Sequence, residues 1–144
     1  MQPRGHVLVE AHDRDGVCVF RSEGDNMIVN GGRDLFADLI ADNTGTRPSY
    51  MAVGTGSTAI TVSDTTLESE LDRNAIALTS SASGVVTYKA FWGMSEAAGT
   101  LANVGLFNDP SAGTMIAAYV LDSTVAKDAT KSLTITWTIT LADT

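Results

Sequence analysis

The segment from Ser132 to Leu141 alternates polar and apolar side chains along its whole length. Its apolar members are Leu133, Ile135, Trp137, Ile139 and Leu141, and threonines fill the positions between them. Successive side chains of a strand point to opposite faces of the sheet, so one face of this strand must be buried and the other polar. We therefore predict a long antiparallel strand here, with Trp137 and Ile139 in the core.

Shorter β-like runs precede this strand, over residues 75–79, 85–92, 105–107 and 115–120. The segments between them carry the Gly, Ser, Asn and Pro that are typical of turns. Phe107, at the end of one run, is a predicted core residue. Short strands separated by turns predict an all-β fold, an antiparallel β-sandwich that is jelly-roll-like.

The first 24 residues predict a β-hairpin of their own. Two β-branched runs, residues 6–12 and 17–21, flank an Asp-Gly turn. We place a boundary after the hairpin, with residues 1–24 as a contact element and residues 25–144 as the sandwich domain. The predicted contact residues are the alternating valines, which would form an exposed edge unless something covers them: Val7, Val9, Val17 and Val19.

Three partners for this hairpin stay open: its own sandwich, a neighbouring subunit, or another protein. We predict that deletion of residues 1–24 leaves a folded sandwich that no longer assembles or attaches.

One helix is predicted, over residues 33–41. Leu35, Phe36, Leu39 and Ile40 share one face of it at helical spacing. The first three are predicted core residues. The segment Asp42-Asn43-Thr44-Gly45 is expected to end the helix.

Composition narrows the possible partners. The chain has 144 residues, enough for one domain, and a formal net charge of −8. Its only lysines are Lys89, Lys127 and Lys131. Nucleic acids and anionic membranes need clustered basic residues, so neither is a predicted partner. No apolar stretch approaches a membrane span of about 20 residues, and no signal-peptide core is recognisable.

The single cysteine, Cys18, excludes an intramolecular disulfide and a cysteine-based metal cage. It lies in an alternating apolar run, where a free thiol usually packs as a small hydrophobic group. We predict a structural role for it.

The stretch Gly54-Thr55-Gly56-Ser57-Thr58 resembles a phosphate-binding loop at first sight. A Walker loop needs a lysine before its last hydroxyl residue, and there is none between Arg47 and Lys89. A dinucleotide loop needs a third glycine and a following helix, but Ala59 takes that place and a β-branched run follows. We predict a bend between strands and no nucleotide binding.

Three polar residues of the first strand are candidates for a metal site. His6, Glu10 and His12 share one face of the first strand, but neighbouring side chains on one face run parallel and do not converge on an ion.

Glu68, Glu70 and Asp72 could form a pair of catalytic acids. A polar turn in which Arg73 neutralises one acid is the favoured interpretation. We predict no enzyme activity, no catalytic residue, no cofactor and no metal.

Six short motifs follow one another between residues 26 and 141. They are Asn30-Gly31-Gly32-Arg33 leading into the helix, Ala52-Val53-Gly54-Thr55-Gly56, Leu67-x-x-Glu70-x-x-Arg73, Gly105-Leu106-Phe107-Asn108, Gly113-Thr114-Met115, and Leu133-Thr134-Ile135-Thr136-Trp137-Thr138-Ile139. Their succession resembles a family of small virion proteins of tailed phages, found as tail-fibre-like or head decoration components. The resemblance implies a structural part of the virion.

This resemblance leads to the main expectation for function. The chain is expected to be a capsid decoration, turret or cement subunit that contacts the major capsid protein or another virion protein. It would be assembled in the host cytoplasm and act in the virion as a homo-oligomer, a trimer or pentamer.

Two alternatives stay open: a tail or tail-fibre component for host attachment, and a carbohydrate-binding β-sandwich module. The latter needs an exposed aromatic platform, for which the candidates are Tyr50, Tyr88, Tyr119, Trp92 and Trp137.

Overall fold

The computed structural model of the protein describes residues 2–41 and 45–141. Within these ranges the chain forms ten strands and one helix, in this order: β1 (Arg4–His12), β2 (Cys18–Asp25), β3 (Met27–Ile28), α1 (Asn30–Ile40), β4 (Tyr50–Gly54), β5 (Glu70–Ala75), β6 (Leu78–Ala82), β7 (Val85–Trp92), β8 (Gly99–Phe107), β9 (Met115–Lys127) and β10 (Ser132–Thr140).

The strands form two five-stranded sheets. The first sheet has the order β2-β1-β10-β7-β6, and the second has the order β3-β9-β8-β4-β5. The strand pairs in both sheets are antiparallel. The predicted antiparallel β-sandwich with one short helix is confirmed, while its jelly-roll-like form stays a prediction.

The core lies between the two sheets. Trp137 stands in the middle of β10, which is itself the middle strand of the first sheet, with Val7 and Tyr88 opposite it on the neighbouring strands. Trp137 is 0% exposed. The other predicted core residues of the strands, Phe107 and Ile139, are also buried. The threonines of β10 lie on the outer face, as its alternation predicts.

The N-terminal hairpin forms, but it is part of the sandwich. Strand β1 pairs with β2 on one side and with β10 on the other, from Arg4↔Thr140 to His12↔Ser132. A boundary after residue 24 would therefore cut through the first sheet. Val7 and Val9 point into the core and are buried, because β1 is an inner strand of the first sheet, between β2 and β10.

Helix α1 begins at Asn30, three residues before the predicted start. Gly32 makes this possible, since a Cβ there would lie 2.2 Å from the carbonyl oxygen of Ile116 in β9. Leu35 is buried, and Phe36 and Leu39 are partly buried and pack against the core. The predicted helix end falls largely on residues 42–44, which lie outside the described ranges.

Candidate functional site

The structure separates the four predicted contact valines into two pairs. Val7 and Val9 are 0% and 1% exposed in the core of their own chain, which corrects their predicted role as exposed contact residues. Val17 and Val19, at the turn end of the hairpin, are 56% and 48% exposed. The part of the hairpin that is accessible to a partner is therefore its tip and its polar outer face.

His6 anchors one end of this outer face. Its two ring nitrogens lie 3.1 Å from a Glu23 carboxylate oxygen and 3.3 Å from an Asp25 carboxylate oxygen. These hydrogen bonds, with Glu23 the stronger cause, raise the pKa of His6 above its ordinary value. The hydrogen bond from His6, followed by one from Arg21, lowers the pKa of Glu23.

The other end of the outer face carries a cluster of three different side chains. Glu10 and His12 lie on β1, and Cys18 pairs with His12 from β2. Cys18 is exposed, which corrects the prediction that its thiol packs as a small hydrophobic group. One ligand atom from each of the three lies within 4.8 Å of the others. A shift of register between Ala11 and His12 brings Cys18, rather than Val19, opposite His12.

Sequence reasoning missed this cluster. The metal ligands considered from the sequence were His6, Glu10 and His12, but His6 binds Glu23 and Asp25 instead. The missing ligand came from the neighbouring strand. An Asp-Gly turn predicts that the two strands pair, but the register that places Cys18 depends on the irregularity near the turn.

The glycine-rich loop closes on a carboxylate of its own chain. Gly54 ends β4, and the chain reaches β5 only at Glu70, so the connection is a long loop rather than a sharp bend. The Thr58 backbone N–H and hydroxyl both donate to the Glu68 carboxylate, over 3.1 and 2.6 Å. These bonds lower the pKa of Glu68, with the Thr58 hydroxyl as the main cause. A Cβ on Gly56 would meet the same carboxylate, at 2.3 Å.

Arg73 neutralises Glu70, as the sequence suggested, and also holds a loop. Its guanidinium donates to both Glu70 carboxylate oxygens, at 2.7 and 2.9 Å. It also donates to the carbonyl oxygens of Asp109 and Ala112, each at 2.9 Å, and stacks 3.7 Å from the centre of the Phe107 ring. Only 8% of the Arg73 side chain is exposed. The guanidinium therefore fixes the turn between β8 and β9.

Lys127 has a comparable structural position at the end of β9. It is 2% exposed, and its ammonium donates to the carbonyl oxygens of Gly93, Met94, Glu96 and Asp128. Burial lowers the pKa of this ammonium group. The lysine fastens the 93–96 turn, so it offers no free cation to a partner.

The two side edges of the first sheet differ. At the β2 edge, the Ser22 hydroxyl donates to the Asp122 carboxylate of β9, and the Asp122 backbone N–H donates back over 3.2 Å. This closes the sandwich on that side. At the other edge, all five residues of β6 (Leu78–Ala82) are exposed.

The β6 edge lacks the usual protection. Natural edge strands carry charges, prolines or bulges that prevent pairing with other chains, whereas the β6 sequence Leu-Thr-Ser-Ser-Ala has no charge and no proline. Leu78 is 57% exposed opposite Lys89, and Phe91, two residues further along β7, is 45% exposed. Leu78 and Phe91 are therefore diagonal neighbours on the outer face.

The aromatic residues weighed for carbohydrate binding lie mostly inside the protein. Trp92, Trp137, Tyr88 and Tyr119 are buried, and Tyr50 is partly buried. Among the described aromatic residues, only Phe91 has a large exposed fraction. One ring makes no aromatic platform, so this geometry does not favour the carbohydrate-binding alternative.

Comparisons with family models, curated proteins and solved structures find no match to this chain. In the described part of the chain, no helix has the length and apolar character needed to cross a membrane.

Proposed function

We propose that the protein is a structural subunit of a tailed-phage virion, which decorates the capsid as a homo-oligomer. The observation that carries this proposal is the β6 edge: β6 is the last strand of its sheet, its five residues are exposed, and the apolar side chains of Leu78 and Phe91 lie exposed beside it. Such an edge is suited to pairing with a strand of another chain. The motif resemblance found in the sequence supplies the virion context.

Fixed surface turns of the sandwich also suit a structural subunit. The Arg73 and Lys127 side chains fix two surface turns through buried hydrogen bonds. The Glu68 carboxylate accepts two hydrogen bonds from Thr58 and so fixes the glycine-rich loop. Rigid turns and an open strand edge give a surface that can bind repeatedly in one geometry.

Self-association is tested by sedimentation of the purified protein at tens of micromolar, a range in which modest interfaces close. We expect a trimer or pentamer. Leu78→Lys adds a charge to the β6 edge and should return the protein to a monomer. Val62→Lys is the matched control, because Val62 is an exposed valine in the 55–69 loop, away from β6, and this change should leave the oligomer intact. A monomeric wild-type protein, or an oligomer that is unaffected by Leu78→Lys, would contradict the proposed interface.

The virion assignment needs a separate measurement. Electron microscopy of phage particles that carry a labelled copy of the protein should show label distributed over the head. Label confined to the tail would replace the decoration function by the tail or fibre alternative. Particles without label would contradict both.

A further inference from the structure

The cluster of Glu10, His12 and Cys18 combines three kinds of metal ligand. A carboxylate oxygen, an imidazole nitrogen and a thiol sulfur lie within 4.8 Å of one another on the outer face of the hairpin. Two come from β1 at positions two residues apart, and the third comes from β2, so the side chains converge from two strands. Ligands that run parallel on one strand cannot do this.

The separation of the donor atoms is close to what coordination requires. Zn²⁺ binds sulfur at about 2.3 Å, and nitrogen and oxygen at about 2.0 to 2.2 Å, in a tetrahedron. Ligand atoms in such a site are therefore roughly 3 to 4 Å apart. Donor atoms already within 4.8 Å need only a small change of side-chain torsion to reach that spacing.

The partners of the three side chains leave them available to a cation. The Glu10 side chain is 24% exposed, and its ion-pair partner, Arg21, lies 3.9 Å away. Arg21 is 56% exposed and also forms an ion pair with Glu23, at 3.3 Å. It would therefore keep Glu23 as a partner if the Glu10 carboxylate bound a metal ion instead. No other described residue hydrogen-bonds to the His12 ring. Cys18 donates its thiol proton to the Phe20 carbonyl oxygen over 3.3 Å.

We propose that Glu10, His12 and Cys18 form a binding site for Zn²⁺ or a similar divalent transition metal. Binding breaks the S–H bond of Cys18 and forms a metal–sulfur bond, and the released proton passes to the solvent. His12 binds through a neutral ring nitrogen and Glu10 through a carboxylate oxygen. Nitrogen and sulfur ligands exclude Mg²⁺ and Ca²⁺, which prefer oxygen alone. Three protein ligands leave a fourth position for water or for a group on a partner.

This site does not depend on the proposed virion function. It would, however, lie close to the exposed hairpin tip of Val17 and Val19. A metal ion there would tie β1 to β2 beside the turn and would hold the tip in one conformation.

The experiment uses the reduced full-length protein, freed of metal. Titration with Zn²⁺ is followed by calorimetry, and titration with Co²⁺ is followed by absorption, because a cobalt–thiolate bond gives an intense charge-transfer band in the near ultraviolet. We expect one ion per chain and a thiolate band. Cys18→Ser should abolish the band. His12→Gln should weaken binding by more than the roughly 10- to 100-fold that loss of an outer-shell partner costs.

His6→Gln is the matched control, since His6 lies on the same face of β1 but binds Glu23 and Asp25. This variant should bind the metal as tightly as the wild-type protein. Circular dichroism of each variant verifies that it is folded. The proposal is overturned if the wild-type protein gives no thiolate band, if Cys18→Ser retains full affinity, or if His6→Gln loses as much affinity as His12→Gln.

Discussion

Trp137 allows the packing of the sandwich to be tested in detail. It is fully buried in the middle strand of the first sheet, between Val7 and Tyr88 on its two neighbours. Replacement by alanine would remove a large aromatic side chain where strands on both sides prevent collapse. Such truncations cost about 3 to 5 kcal/mol of unfolding free energy. Since the free energy of unfolding of a whole domain is about 5 to 15 kcal/mol, Trp137→Ala should remove a large part of the stability.

A second variant separates packing from hydrogen bonding. The Trp137 indole nitrogen is buried and has no hydrogen-bond partner among the described residues. A buried donor without a partner costs about 1 to 3 kcal/mol. Trp137→Phe keeps an aromatic ring and removes this donor, so the lost contacts are partly offset. We expect Trp137→Phe to cost about 2 kcal/mol less than Trp137→Ala, on the scale of that penalty and of the retained ring contacts.

Unfolding in urea, followed by far-ultraviolet circular dichroism, measures both costs from the midpoint at unchanged m-value. Thr136→Ala, on the outer face of the same strand, is the control and should cost about 1 kcal/mol or less. If Trp137→Phe is as damaging as Trp137→Ala, the indole nitrogen contributes a hydrogen bond and the reasoning fails. A cost below about 1 kcal/mol for Trp137→Ala would mean that the site is not a packed core position.

Three further predictions follow from the same contacts. Arg73→Lys keeps the charge but loses the planar fork, so it should cost about 1 to 3 kcal/mol and speed hydrogen exchange in the 108–113 turn, as mass spectrometry can measure. His6 should titrate above its ordinary pKa by NMR, because its partners favour the charged ring. The stabilisation of the folded state by the charged His6 ring is then complete below the unfolded pKa of about 6.5 and is lost as pH rises through the folded pKa. Glu23→Gln should reduce this pH-dependent loss of stability. Deletion of residues 1–24 removes β1 and nearly all of β2 from the first sheet, so it should prevent folding, which corrects the folded sandwich that the sequence alone predicts for this deletion. Circular dichroism and gel filtration would show this, and a folded truncated protein would contradict the strand order.

Local periodicity in the sequence determined much of the fold. The alternation in β10 predicted which of its side chains are buried. The helical spacing placed Leu35, Phe36 and Leu39 on the face of α1 that meets the core, but its fourth member, Ile40, is 78% exposed. The lack of a phosphate-binding lysine in the loop that contains Gly56 was also visible in the sequence, since no lysine lies between Arg47 and Lys89. Each of these signals lies within a few residues of chain, because side-chain direction repeats every 2 residues in a strand and about every 3.6 in a helix.

The pairing of distant segments was decided only by the tertiary structure. Strand β10 takes its place beside β1, which buries Val7 and Val9 and makes the hairpin part of the sandwich. Arg73 reaches the carbonyl oxygens of a turn 36 to 39 residues away. An irregularity of one residue in the β1–β2 register brings Cys18 to His12. Strand order and register depend on which faces can be buried together, and a short stretch of sequence carries no record of its partner.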